Sequence, residues 1–125
     1  MTFARFLPFA AVAAAVLAPA TASAQGATEG AALFRQQCQM CHVSAKGARP
    51  TLAPNLFGVA GRKAASSDFA NYSPALKASG LVWSKASLDR FLAAPGKLVP
   101  GTRMVIAIPD AKRRAAVVAY LQGLK

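Results

Sequence analysis

Acidic residues, histidine and cysteine are scarce in this chain. Fifteen Lys and Arg stand against four Asp and Glu, and there are one histidine, two cysteines and one tryptophan in 125 residues. Two cysteines and one histidine are too few for a structural zinc site, which takes four ligands, usually two Cys pairs or Cys with several His. A single C-x-x-C pair closes only a tiny loop, so a disulfide there adds little stability. A thioredoxin-like redox pair needs a βαβ setting, and no strand pattern occurs anywhere. A membrane span is also missing. The apolar run Phe6 to Ala18 is shorter than the ~20 residues a span requires.

That run has another meaning. Arg5 precedes it, and Pro19 and the small residues Ala20-Thr21-Ala22-Ser23-Ala24 follow. Ala22-Ser23-Ala24 is an A-x-A cleavage pattern, and the whole layout is that of a secretory signal peptide. We expect residues 1–24 to be removed and residues 25–125 to form one exported domain, periplasmic in a bacterium. About a hundred residues build a limited core and commonly need a staple. A large bound cofactor serves that end by supplying apolar surface.

The formal charge is +11, or +10 once Arg5 leaves with the leader. Such a field favours acidic partners. Nucleic acid and anionic membrane surfaces also attract basic proteins. Export argues against nucleic acid and leaves at most peripheral membrane contact.

The local signals describe an all-α domain of about four short helices with long loops. Ala27 to Gln37 reads as a helix, with Thr28 as its cap, Glu29 near the positive end of the dipole, and Ala31, Leu33 and Phe34 on the apolar face. Residues 43–72 are rich in Gly, Pro, Ser and Asn and read as loop. So long a loop in a small domain is unusual, unless it packs against something other than protein. Ser73-Pro74 opens a short helix that Gly80 closes. Ser84 opens another, with Trp83 and Leu88 placed as a hydrophobic staple and Pro95-Gly96 as its stop. Residues 96–109 read as loop. Asp110 caps a last helix running to about Gln122, with Val117, Val118, Leu121 and Leu124 on its apolar face and Tyr120 beside it.

Both cysteines and the histidine fall within five residues, CQMCH, at positions 38–42. Haem attachment uses all three. Two thiols on one helical turn can add to the two vinyl groups of a porphyrin, and a histidine beside the second thioether then sits under the iron. C-x-x-C-H is the c-type attachment signature, so the expected cofactor is one covalent haem c, held by Cys38 and Cys41, with His42 as proximal ligand. A second histidine is not available for the other axial position. Met1 leaves with the leader, and Met40 lies inside the motif. Met104, in Pro100-Gly101-Thr102-Arg103-Met104, is the remaining thioether. A Met ligand favours ferrous iron and raises the potential. A lysine or an open sixth position are the alternatives, and core filling is the ordinary use of a methionine.

With these residues in place the chain resembles class I cytochrome c, the branch of mitochondrial cytochrome c and bacterial cytochrome c2. The resemblance rests on EGAALFRQQCQMCH, APNLFGVAGRK, Tyr72, LVWS, VPGTRM and AYL, and spans nearly all of residues 25–125. It implies the cytochrome c fold and roles for further residues. Pro54 would offer its carbonyl to the second His42 ring nitrogen. Arg62, Tyr72 and Trp83 resemble residues that hydrogen-bond a haem propionate, and Thr102 one that braces the Met loop. Gly30 and Phe34 would meet Tyr120 and Leu121 where the first and last helices cross. Three positions depart from the pattern. Phe91 stands where a Tyr near the Met sulfur is frequent, Ile106 where a Phe often covers the haem edge, and Gln37 where a lysine often precedes the first Cys.

The implied function is one-electron transport by a soluble, monomeric carrier between redox complexes, as in a respiratory chain, and not an enzyme. Lys46, Lys97, Arg103 and Lys112 are the candidates for docking acidic redox partners, through weak and salt-sensitive encounters. A dedicated haem subunit of a periplasmic dehydrogenase is the nearest rival, and it would want an exposed apolar patch. A peroxidase or gas sensor needs an open sixth site and usually a distal acid or base. A basic nucleic-acid binder would need no haem.

Overall fold

A computed structural model describes residues 20–125; Met1 to Pro19, with most of the expected leader, lies outside the described residues. Five helical segments follow one another: α1 (Ala20–Gln37), α2 (Pro74–Ala78), α3 (Lys85–Ala93), α4 (Pro95–Leu98) and α5 (Ala111–Gln122). Among the described residues the nearest thing to a sheet is one isolated antiparallel bridge between Lys63 and Val82. The architecture is all-α, as expected, and no helix of the described chain is long and apolar enough to cross a membrane.

The caps fall where local chemistry puts them. Ser73 accepts from the Leu76 amide, with Pro74 at the first helical position. Ser84 and Ser87 cap each other reciprocally at the start of α3: the Ser87 amide donates to the Ser84 hydroxyl at 3.1 Å and the Ser84 amide to the Ser87 hydroxyl at 2.8 Å. Asp110 accepts from the Arg113 amide at 2.7 Å. Trp83 and Leu88, flanking the Ser84 cap, are both buried.

Two expectations fail locally. The first helix does not begin at Thr28. It is already helical from Ala20, and the Thr28 hydroxyl donates back to the Ala24 carbonyl at 3.1 Å. The small residues before Thr28 carry the helix onward, and a threonine inside a helix can satisfy its hydroxyl on the carbonyl one turn back. Residues 96–109 are also not all loop. Pro95 ends α3 but opens the one-turn helix α4, because proline fits a first helical turn as well as it breaks a preceding one.

Packing hinges on the crossing of α1 and α5. A side chain at Gly30 would place its Cβ 1.9 Å from the Ala116 carbonyl oxygen and 2.9 Å from the Tyr120 Cβ, so only glycine admits this approach. One turn on, the Phe34 and Tyr120 rings meet at 5.2 Å. Phe34, Val117, Val118 and Leu121 are almost wholly buried there. Helix α3 packs on α5 and adds Leu88, Phe91 and Leu92 to the same core. Gly30→Ala must push the helices apart. We expect a loss of at least about 1–3 kcal/mol of stability, the usual range for overpacking, read by equilibrium denaturant unfolding. An unfolding curve matching wild type would mean that the helices do not cross at Gly30.

Candidate functional site

The CQMCH segment continues α1 for one more turn. The Cys38 amide donates to the Phe34 carbonyl at 2.8 Å and the His42 amide to the Cys38 carbonyl at 2.9 Å. This turn brings Cys38, Cys41 and His42 to the wall of a cavity of about 460 Å³, within the ~300–1,000 Å³ typical of cofactor sites. Met104 and Thr102 reach the same cavity from the segment after α4, Leu88, Phe91 and Leu92 from α3, and Val117 and Leu121 from α5. The long loop supplies Pro54, Arg62, Phe69 and Tyr72, with Trp83 from the stretch before α3. Here the long loop finds what it packs around.

The two cysteines form no disulfide with each other, and both are half-buried. Burial, and secondarily the neighbouring Cys41, push the Cys38 thiol above its ordinary value. His42 Nδ1 lies 2.8 Å from the Pro54 carbonyl oxygen. A carbonyl only accepts, so Nδ1 carries the proton and Nε2 keeps its lone pair. Burial lowers the His42 pKa, with the Pro54 contact opposing it, and the imidazole is held neutral, the form that binds metal.

The Pro54 carbonyl is placed by a set of bonds to which motif-spotting is blind. The Asn55 side chain donates to the Ala45 and Ala48 carbonyls at 2.8 and 2.9 Å and accepts from the Phe57 amide at 2.9 Å. Thr51 Oγ1 and the Ala53 amide both donate to the Cys41 carbonyl, at 2.9 and 3.0 Å. Arg62 donates to the Phe57 and Asn55 carbonyls at 3.1 and 2.9 Å. The Tyr72 and Ser67 hydroxyls are hydrogen-bonded to each other. Trp83 packs on Phe91 with ring centres 5.0 Å apart. Thr102 Oγ1 accepts from the Met104 amide at 3.3 Å.

Of the four basic residues singled out for docking, Arg103 lines the cavity and donates to the Asn71 carbonyl at 2.5 Å, while Lys46, Lys97 and Lys112 are exposed and stand off the cavity wall. Phe91, Ile106 and Gln37 all line the cavity. The lining is chiefly apolar and contains two arginines and no carboxylate.

The family model for Cytochrome c matches residues 27–125. This chain belongs to the cytochrome c family. It is 45% identical over 95 residues to a cytochrome c of Theileria annulata, an alignment covering 75% of this chain and 82% of that one. It is 40% identical over 117 residues to a cytochrome c2 of Rhodomicrobium vannielii, covering 92% and 93%. Cytochrome cH from Methylobacterium extorquens superposes with a TM-score of 0.70 at 41% identity, over 77% of this chain and 96% of that structure. The fold is that of class I cytochrome c, and members of the family are electron carriers, not enzymes, that bind covalent haem c. Cys38 and Cys41 fit the C-x-x-C-H attachment motif of the family. The residues present suit that group: paired thiols, one neutral imidazole with a free nitrogen, apolar walls, and arginines for its anionic edge.

Asn55→Ala removes two donors and one acceptor from the loop that carries Pro54. We expect a loss of about 1–3 kcal/mol and faster hydrogen exchange at the Phe57 amide. Unchanged Phe57 exchange would show that the loop is held by its other bonds alone.

Proposed function

We propose that this cytochrome c is an exported, monomeric one-electron carrier whose haem c is bonded to Cys38 and Cys41 and ligated axially by His42 and Met104. The observation that carries this reading is the 2.8 Å contact of His42 Nδ1 with the Pro54 carbonyl, in a cavity wall that also holds both thiols and Met104. When bound, the haem supplies a ferric/ferrous couple. The chain's own part is to hold it and keep water away. Pro54 fixes the tautomer and orientation of the His42 ring. Leu88, Phe91, Leu92, Val117 and Leu121 form the apolar wall. Arg62, Tyr72 and Trp83 offer donors to the anionic edge, and the Thr102 hydroxyl braces the backbone of Met104. With both axial positions filled by side chains no site is left for a substrate, in keeping with transport and not catalysis.

The leader pattern and the A-x-A site support export to the periplasm and a mature chain from Gln25. The basic surface, including Lys46, Lys97, Arg103 and Lys112, favours brief docking onto acidic redox partners such as those of a respiratory chain. It is not meant for nucleic acid, and contact with a membrane would be peripheral. Met40, Leu52, Val105 and Ile106 are large, exposed and apolar, and all border the cavity. This rim also suits a second reading, a dedicated haem subunit of a periplasmic dehydrogenase.

The test is protein matured in a periplasm, as wild type and Met104→Ala. We expect a mass that starts at Gln25 and includes haem resistant to acid extraction, and a weak ferric charge-transfer band of the thioether that vanishes in the variant. A wild type without that band, binding carbon monoxide readily, would mean an open sixth site and would sink the carrier reading. Association rates with an acidic partner should fall steeply as salt rises. Co-purification with one dehydrogenase at high salt would favour the subunit reading.

A further inference from the structure

Met104 sits on a strap with few supports. At its near end the Thr102 amide donates to the Val99 carbonyl at 3.0 Å, and Arg103 donates to the Asn71 carbonyl. Beyond Met104, Val105, Ile106 and Ala107 are exposed and make no hydrogen bond among the described residues. The next anchorage is Ile108, which is buried and donates its amide to the Leu92 carbonyl at 2.7 Å.

Arg114 closes on that anchorage from α5. Its Nη1 donates to the Ile108 and Pro109 carbonyls, both at 3.0 Å. Its Nε donates to Asp89 Oδ1 on α3 at 2.7 Å. Among the described residues this is the one salt bridge, and it engages one of only four acids in the chain. The Arg114 side chain is 13% exposed and that of Asp89 44%. The planar guanidinium can bond a carboxylate and two carbonyls at once, whereas a lysine ammonium has no such fixed fork.

We infer that Arg114, aimed by Asp89, is a positioning residue that clamps the far end of the strap and so limits how freely Met104 leaves its place over the cavity. The clamp joins three elements at one side chain: α3 through Asp89, α5 through its own backbone, and the strap through two carbonyls. A plain helix–helix ion pair would not also hold Ile108 and Pro109. The consequence for the iron rests on the reading of Met104 as a ligand; the mechanical part does not.

The experiment uses the haem-loaded protein with Asp89→Asn, Arg114→Gln and Arg114→Lys. Arg113→Gln serves as control, since its exposed side chain has no hydrogen bond among the described residues and its loss changes the charge equally. Two quantities are read: imidazole binding to the ferric protein, which competes with Met104, and hydrogen exchange at the Ile108 amide. Charge-assisted hydrogen bonds at a partly exposed site set the scale at roughly tenfold. We expect imidazole to bind about tenfold more tightly to Arg114→Gln and Asp89→Asn, with Ile108 exchange accelerated about as much. Arg114→Lys should fall between, the Arg113 control within about twofold of wild type, and exchange at the His42 amide should stay as it was. If the variants unfold at lower denaturant while imidazole affinity and Ile108 exchange stay at wild-type values, Arg114 merely ties α3 to α5 and the inference is overturned. If wild type shows no thioether band, the ligation reading falls, and Ile108 exchange alone decides the clamp.

Discussion

The contact between Gly30 and the Ala116 carbonyl governs the rest of this structure. It lets α1 and α5 cross almost backbone to backbone, with the Phe34 and Tyr120 rings packed at a tilt beside the crossing. Because the CQMCH turn is the direct continuation of α1, fixing that helix against α5 also fixes where Cys38, Cys41 and His42 point. The long loop is then sewn to the motif where Thr51 and Ala53 donate to the Cys41 carbonyl, Asn55 ties the loop to itself, and the Pro54 carbonyl meets the imidazole. A glycine thus acts on a histidine twelve residues away through helix geometry, with no contact between them.

The hydrophobic core is built around the cavity instead of filling the centre of the molecule. Phe34, Leu88, Phe91, Leu92, Val117 and Leu121 belong both to the core cluster and to the cavity wall. A domain of about a hundred residues buries a modest share of its surface, and here much of its best apolar surface faces the place where a cofactor belongs. That arrangement explains why so much of residues 43–72 does without regular structure. Its polar groups are satisfied by local bonds from Asn55, Arg62 and Ser66, and its apolar side chains turn toward the cavity.

Scarcity of acid shapes the surface as strongly as abundance of base. Asp110 caps α5 and Asp89 holds Arg114, which leaves Glu29 and Asp68 as the other carboxylates, both exposed. Most Lys and Arg therefore meet solvent without an acidic neighbour. A surface of this kind repels its own copies and draws acidic ones, while the apolar rim of Met40, Leu52, Val105 and Ile106 lies at the mouth of the cavity.

Much of this protein was determined by its sequence alone. CQMCH, which takes up both cysteines and the lone histidine, points to covalent haem because each residue type has so few rivals. The caps at Ser73, Ser84 and Asp110 are legible because capping depends on three or four adjacent residues. Where a local rule has two outcomes, the sequence misleads: Pro95 both ends one helix and starts another, and alanines before Thr28 extend a helix that a cap would have begun. Tertiary structure alone decided the rest. Nothing in the order of residues shows that Asn55 binds the carbonyls of Ala45 and Ala48, that Arg114 reaches Asp89 and the end of the Met104 strap, or that Arg103 lines the cavity while Lys46, Lys97 and Lys112 stand apart. Those facts depend on where separate segments meet in space, and a chain fixes that only when its apolar faces pack together and each buried polar group must find a partner.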